Sequence, residues 1–248
     1  MMSKDKNLKA FVFDFGATLD TGGIHWYNVF FDQYTKEFPY LSDKIFREAY
    51  VYAERNLSKK YLVKPTDTFK DTLQKKLVLQ SRYLEITDVF VSEEKRAKIL
   101  DGCYKTVLLN VENAKRVLEF LSPKYRLALI SNFYGNIETV LGELGLKHFF
   151  ERVFESAKVG FSKPDERLYL HCLKELNLNG NECAMVGDSY PKDIVPAKKL
   201  GFLTIWLKVK GWQEENKSED CADIVIENLN EIISKEEINK EYNFNSKN

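Results

Sequence analysis

Apolar and polar positions follow two rhythms along the chain. Leu8 to Phe15 reads Leu-Lys-Ala-Phe-Val-Phe-Asp-Phe, a short apolar run that breaks at Gly16 and predicts a buried strand ending at a carboxylate. An aspartate in such a run is expensive to bury, which singles out Asp14. Arg126 to Ile130, Arg152 to Glu155, Ala184 to Gly187 and Phe202 to Leu207 are comparable runs, each followed by polar or glycine-rich residues. Between them the spacing becomes helical. Ala114, Val117, Leu118 and Leu121 form one i, i+3, i+4, i+7 stripe, and Ile137, Val140, Leu141 and Leu144 form another before Gly145. A third helix is predicted from about Pro164, where the missing N–H costs no intrahelical bond; it would bury Leu168, Cys172 and Leu176. A fourth runs from about Pro191 to Leu200 and stops at Gly201, the usual residue for a left-handed cap. This alternation predicts an α/β fold, a doubly wound parallel sheet with right-handed crossovers and a ligand crevice at the carboxyl ends of its strands.

Residues 21–104 break the rhythm. They are rich in aromatic residues, have helix-like patterns and contain no convincing alternating strand. Helices are expected over Ile24–Lys36, Ser42–Asn56, Thr66–Arg82 and Ser92–Leu108. The expected organisation is a discontinuous α/β core, residues 1–20 and 105–248, interrupted by a helical domain over 21–104. The aromatic enrichment could line a substrate pocket, but a small helical domain needs bulky side chains for its own core, so each single aromatic there is read first as packing. The charged tail after Asn230 is expected to end in a short, fraying helix.

At 248 residues, one domain with a sizeable insertion should bury roughly 70–75% of its unfolded surface and needs no staple. Its 37 basic and 37 acidic residues cancel, so no bulk field gathers nucleic acid or anionic membrane, although a local basic pocket is compatible with that balance. Cys103, Cys172, Cys183 and Cys221 have neither CxxC spacing nor a nearby ligand histidine, and read as buried thiols. The first apolar run stops at Asp14, too short for a secretory signal, and no stretch reaches the roughly 18 residues of a membrane span. A soluble protein of the reducing cytoplasm is expected.

Four places sit where a parallel strand should end: Asp14-Phe15-Gly16-Ala17-Thr18-Leu19, Ser131-Asn132, Lys163-Pro164-Asp165 opening a helix, and Gly187-Asp188-Ser189 with Asp193 further on. Sheet topology would bring them to one rim, gathering three carboxylates, a hydroxyl and an ammonium. Clustered carboxylates repel unless a cation neutralises them, and hard oxygen donors favour Mg²⁺ together with waters and substrate phosphate. Lys163 adds a fixed positive charge. Such a rim suits a substrate with concentrated negative oxygen charge. Ser131 and the backbone N–H groups after it are placed to bind a phosphoryl oxygen, and a strand-end carboxylate can attack phosphorus to give an aspartyl phosphate.

From about Leu8 to Ile226 these motifs, in this order, resemble the haloacid dehalogenase (HAD) superfamily, most members of which transfer phosphoryl groups through such an intermediate. The helical insertion resembles the cap that one subgroup places after the first motif. The resemblance implies a Rossmann-type core, with Asp14 as nucleophile and metal ligand, Ser131 as the hydroxyl holding the transferring group, and Lys163 as the cation balancing nucleophile and phosphate. It implies Asp188 as a Mg²⁺ ligand, Asp193 as a supporting or direct ligand, and the Gly16 carbonyl as a further one. Asn132 is expected as an extra donor to a small phosphorylated substrate. His148 and His171 lie on helical patterns and read as structural, whereas His25 could face the pocket.

The pattern departs from the family at one catalytic position. Most of its phosphatases carry a second aspartate two residues after the nucleophile, where this chain has Gly16; Ala17 also replaces a common glycine. Losing a general acid typically costs about 10²–10⁴-fold in rate. A phosphatase for good leaving groups such as acyl or aryl phosphates fits, as does one recruiting Asp20 or His25. A phosphonatase-like enzyme would need a cap lysine, with Lys59 and Lys60 in the insertion, and a dehalogenase-like enzyme would have no use for Asp188. A non-catalytic phosphate-binding or regulatory protein is the alternative outside enzymology.

Overall fold

The computed structural model describes residues 8–59, 62–208 and 222–235; Cys221 and the end of the charged tail lie outside them. Among the described residues six strands form one sheet: β1 (Ala10–Phe13), β2 (Arg126–Ser131), β3 (Arg152–Glu155), β4 (Cys183–Gly187), β5 (Leu203–Leu207) and β6 (Ile224–Ile226). Every pairing is parallel, in the order β3-β2-β1-β4-β5-β6. β1 lies at the centre, with Phe13 level with Leu129 on one side and Val186 on the other.

The side-chain alternation of β1 explains why it is apolar throughout. Phe11 and Phe13 enter one buried cluster with Leu127, Leu129, Ala184 and Val186, while Ala10 and Val12 enter another with Ala128, Ile130 and Met185. A strand covered on both faces needs an unbroken apolar run rather than an alternating one. The second cluster includes Leu168, Cys172 and Leu176 of the helix Glu166–Leu176, capped by Asp165, whose side chain accepts from Arg167 N.

Four helices lie between β1 and β2: α1 (Trp26–Glu37), α2 (Asp43–Lys59), α3 (Phe69–Ile86) and α4 (Glu93–Leu121). The expected helices over 92–108 and 114–121 are a single one, and the stretch between them holds neither glycine nor proline. Its buried stripe runs unbroken through Ile99, Cys103, Val107, Val111, Ala114, Leu118 and Leu121. The helix therefore starts among the inserted helices and ends on the sheet, in one cluster with Phe11, Phe30 and Phe46. β6 was not expected, because three residues, Ile-Val-Ile, are too few to show a period. Over Pro191–Leu200 a π turn (Tyr190–Ile194) precedes a short α-helix (Val195–Lys199). Cys103, Cys172 and Cys183 are buried free thiols. Among the described residues no helix is long and apolar enough to cross a membrane.

Candidate active site

Because all six strands are parallel, their carboxyl ends share one edge, and the connections from β1 and β4 leave a crevice where the winding reverses. Asp14 follows β1, Ser131 closes β2, and Asp188 follows β4. These residues line one cavity of about 230 Å³ together with Gly16, Asn132 and Lys163.

Lys163 is the hub. Its Nζ lies 2.6 Å from Asp14 Oδ1 and 2.7 Å from Asp193 Oδ1. The loop carrying it is tied to β2 by Asn132, whose Oδ1 accepts from Lys163 N at 2.8 Å and whose Nδ2 donates to Lys163 O at 3.0 Å. Asn132 is thus a positioning residue whose amide keeps one further N–H for other partners. Asp193 is fully buried and its Oδ2 accepts from Ser189 N at 3.0 Å. A Cβ on Gly187 would stand 2.5 Å from the Asp193 carboxyl carbon, so only glycine lets β4 end this close to it.

Asp14, Asp188 and Asp193 each offer an oxygen within 4.8 Å of the others. One ammonium does not neutralise three carboxylates at this spacing. Burial, then the charges of Asp14 and Asp193, hold the Asp188 carboxyl well above the ordinary carboxylate range. Burial pushes Asp193 up to about 6 despite the neighbouring Lys163. Burial alone would lower Lys163, but the two carboxylates outweigh it and keep the side chain firmly protonated. The donor set is all oxygen and its negative charge exceeds its positive, which fits a hard divalent cation.

The turn after β1 is held by its own side chains. Ala17 adopts φ +63°, the left-handed conformation that glycine takes freely, so the turn survives the replacement with some strain. Ala17 N donates to Asp20 Oδ1 at 2.7 Å and Trp26 Nε1 donates to Asp20 Oδ2 at 2.7 Å. Ala17→Gly should stabilise the protein by about 0.5–1 kcal/mol, the left-handed strain less glycine's extra loss of chain freedom; chemical denaturation would read the gain. Asp20 has a pKa of about 7, raised chiefly by burial, but both its oxygens face N–H donors. His25 caps α1, its Nδ1 accepting from Tyr27 N at 3.1 Å, and burial lowers it to about 4. It lines the cavity, one of the two places the sequence left open for it, as a neutral imidazole at pH 7.

Several site residues escaped the sequence reading. Thr18 Oγ1 donates to Asp188 Oδ1 at 3.1 Å and accepts from Asp188 N at 3.1 Å. Trp206 Nε1 donates to Asp188 O at 2.9 Å. Glu155, ending β3, accepts through Oε1 from Gly135 N at 2.6 Å and Ile137 N at 3.3 Å, fixing the loop after Ser131. On the inserted helices, Tyr50, Glu54 and Lys76 also line the cavity. A signal for Lys76 existed: it falls on the buried stripe of Phe69, Leu73, Leu77 and Leu84, where a lysine needs a reason.

A central strand-end aspartate ringed by a lysine, a hydroxyl and two more acids, on a doubly wound parallel sheet, defines a hydrolase of the α/β class. The family described as haloacid dehalogenase-like hydrolase matches residues 8–201, and the chain belongs to it. It is 34% identical over 90 residues to a glyceraldehyde 3-phosphate phosphatase of Methanocaldococcus jannaschii, covering 36% of this chain and 39% of that one. A phosphoserine phosphatase of Thermus thermophilus is 34% identical over 109 residues, covering 43% of each. These matches span less than half the length of either relative. In fold, a dehalogenase crystallised with an intermediate complex superposes with a TM-score of 0.60 at 18% identity, over 92% of this chain and 96% of that one.

Proposed function

We propose that this protein is a Mg²⁺-dependent phosphatase acting on a small phosphorylated metabolite through an aspartyl phosphate on Asp14, with residues 21–104 as its cap. The observation that carries the proposal is the Asp14–Lys163–Asp193 chain of charges beside Asp188 in one crevice. The phosphatase names of the two relatives support it. A dehalogenase needs no cation, and these three carboxylates are arranged as though one were required.

Asp14 attacks phosphorus, forming a P–O bond to its carboxylate while the bond to the leaving oxygen breaks and that oxygen keeps the electron pair. Lys163 holds the attacking carboxylate in place and offsets the phosphoryl charge. Ser131, buried at the end of β2, orients a phosphoryl oxygen. Water then attacks phosphorus, the P–O bond to Asp14 breaks with its electron pair on the carboxylate, and the water's protons leave on the released inorganic phosphate. Asp14, Asp188, the Gly16 carbonyl and Asp193 would hold Mg²⁺, which when bound supplies positive charge to the phosphoryl oxygens.

No carboxylic acid stands at position 16, both Asp20 oxygens accept from N–H donors, and His25, lowered to about 4, carries no acidic proton at pH 7. On this reading the substrate's leaving group departs as an anion. The phosphonatase-like alternative rests on Lys60, which lies outside the described residues, and on the side chain of Lys59, which does so as well. Lys76, the buried lysine of α3, stays protonated: burial would lower it, but the nearby Glu54 and Tyr50 outweigh that, and an ammonium forms no imine.

Asp188→Asn should weaken Mg²⁺ binding at least tenfold by calorimetry without lowering the melting temperature of the metal-free protein. The sign follows from linkage: the Asp188 carboxyl is raised above 3.8 in the fold, so the metal-free protein loses stability as pH rises from that value through the folded one. Asparagine removes that penalty. Failure of the wild type to bind Mg²⁺ at millimolar concentration would overturn the metal assignment.

A further inference from the structure

Part of the cavity lining has a composition that phosphate binding does not explain. Trp26, Phe69, Phe133 and Tyr134 form a continuous aromatic wall, with ring centroids 5.6 Å apart for Trp26–Phe69, 6.3 Å for Phe69–Phe133 and 5.1 Å for Phe133–Tyr134. All four border the cavity, and so does Tyr50. The wall comes from both parts of the molecule: Trp26 and Phe69 belong to the inserted helices, Phe133 and Tyr134 to the loop after β2.

One ion pair interrupts this apolar lining. Lys76 Nζ lies 2.7 Å from Glu54 Oε1 and over the rings of Trp26 and Tyr134, at 5.8 and 5.2 Å from their centroids. The Tyr134 hydroxyl donates to Glu54 Oε2 at 2.6 Å. The pair is neutral overall, so a second formal charge on the substrate would find no uncompensated partner in the pair itself, although Lys192 also borders the cavity. A hydroxyl or amide would, accepting from Lys76 and donating to Glu54.

At the reacting end, Gly16 leaves room. A Cβ built on it meets nothing within 4 Å, so the space beside the leaving oxygen holds neither an acid nor bulk.

Resting on the phosphatase reading above, we infer that the substrate is an aryl phosphate whose ring lies against the Trp26–Phe69–Phe133–Tyr134 wall and whose neutral polar substituent meets Lys76 and Glu54. The three features agree chemically. When Asp14 displaces a phenoxide, the P–O bond breaks with its electron pair on an oxygen that the ring already stabilises. No protonation is needed in that step, and the phenoxide takes its proton from water afterwards. Aromatic walls recognise the same ring by offset or edge-to-face contact.

The test compares kcat/KM in the wild-type protein with Mg²⁺ for phenyl phosphate and for a fluoroalkyl phosphate of matched leaving-group acidity. The aryl ester should win by about tenfold or more, the worth of one well-placed ring; equal values overturn the inference. Acetyl phosphate, run alongside, separates the two levels of the argument. Turnover of acetyl phosphate without an aryl advantage removes the inference and leaves the phosphatase; no turnover of any of the three removes both. In Lys76→Met, the kcat/KM of a hydroxymethyl-substituted phenyl phosphate should fall about tenfold relative to that of phenyl phosphate in the same variant. If both fall together, Glu54→Gln, which keeps the size of the side chain, repeats the contrast. A common loss in that variant too, with its melting curve intact, would remove the polar-substituent part.

Discussion

Replacing Asp14 with asparagine should abolish turnover, by at least about a thousandfold, while the fold persists. Removing the nucleophile of a residue set that works as a unit costs nearly all of its rate advantage. Stability should change little, because the amide has the size of the carboxylate and Lys163 keeps its second partner, Asp193, at 2.7 Å. Relief of the repulsion that raises Asp188 works in the same direction. The measurement is single-turnover phosphate release beside a melting curve. Retention of more than about a tenth of the wild-type rate would remove the covalent mechanism.

The second large effect concerns Gly16. Without a proton donor there, the chemical step should slow steeply as the leaving group becomes more basic, because alkoxides need protonation in the transition state and phenoxides or carboxylates do not. Gly16→Asp should raise the rate with alkyl phosphates by about 10²–10⁴-fold and leave acyl and nitrophenyl phosphates nearly unchanged. The geometry permits the test: the open space at the Gly16 Cβ admits a side chain, and φ there lies outside the left-handed region. Ala17, the next residue, holds the turn at φ +63°. A wild-type enzyme that hydrolyses alkyl and aryl phosphates at similar chemical-step rates would show that another acid serves, and Asp20→Asn and His25→Ala would identify it.

Much of this site could be read from the chain because strand ends announce themselves. Asp14 interrupts an apolar run, and Ser131 and Gly187-Asp188 follow two others; parallel topology alone then forces them to one edge. What holds those residues was less visible. The bonds from Thr18 and Trp206 to Asp188 join positions far apart in sequence, with no periodicity linking them. The left-handed backbone at Ala17 carries no residue signature, since alanine rarely adopts it. The continuity of α4 does not show in either of its two apolar stripes alone, although nothing between Leu108 and Ala114 breaks a helix. Glu54 and Lys76 sit in helices whose aromatic content was assigned to packing. That assignment holds for Phe30 and Phe46, which are fully buried in the main cluster. Trp26 and Phe69 belong to the same cluster and also face the cavity, a double role that composition allows without saying which aromatics have it.

The phosphoenzyme itself tests the central claim most directly. The protein is mixed with Mg²⁺ and acetyl or nitrophenyl phosphate, quenched in acid within the first turnover, and its peptides are weighed by mass spectrometry. The account predicts one phosphoryl group on the peptide containing Asp14, labile to hydroxylamine and absent from Asp14→Asn. Rapid turnover with no phosphoryl group on that peptide at any quench time would contradict it.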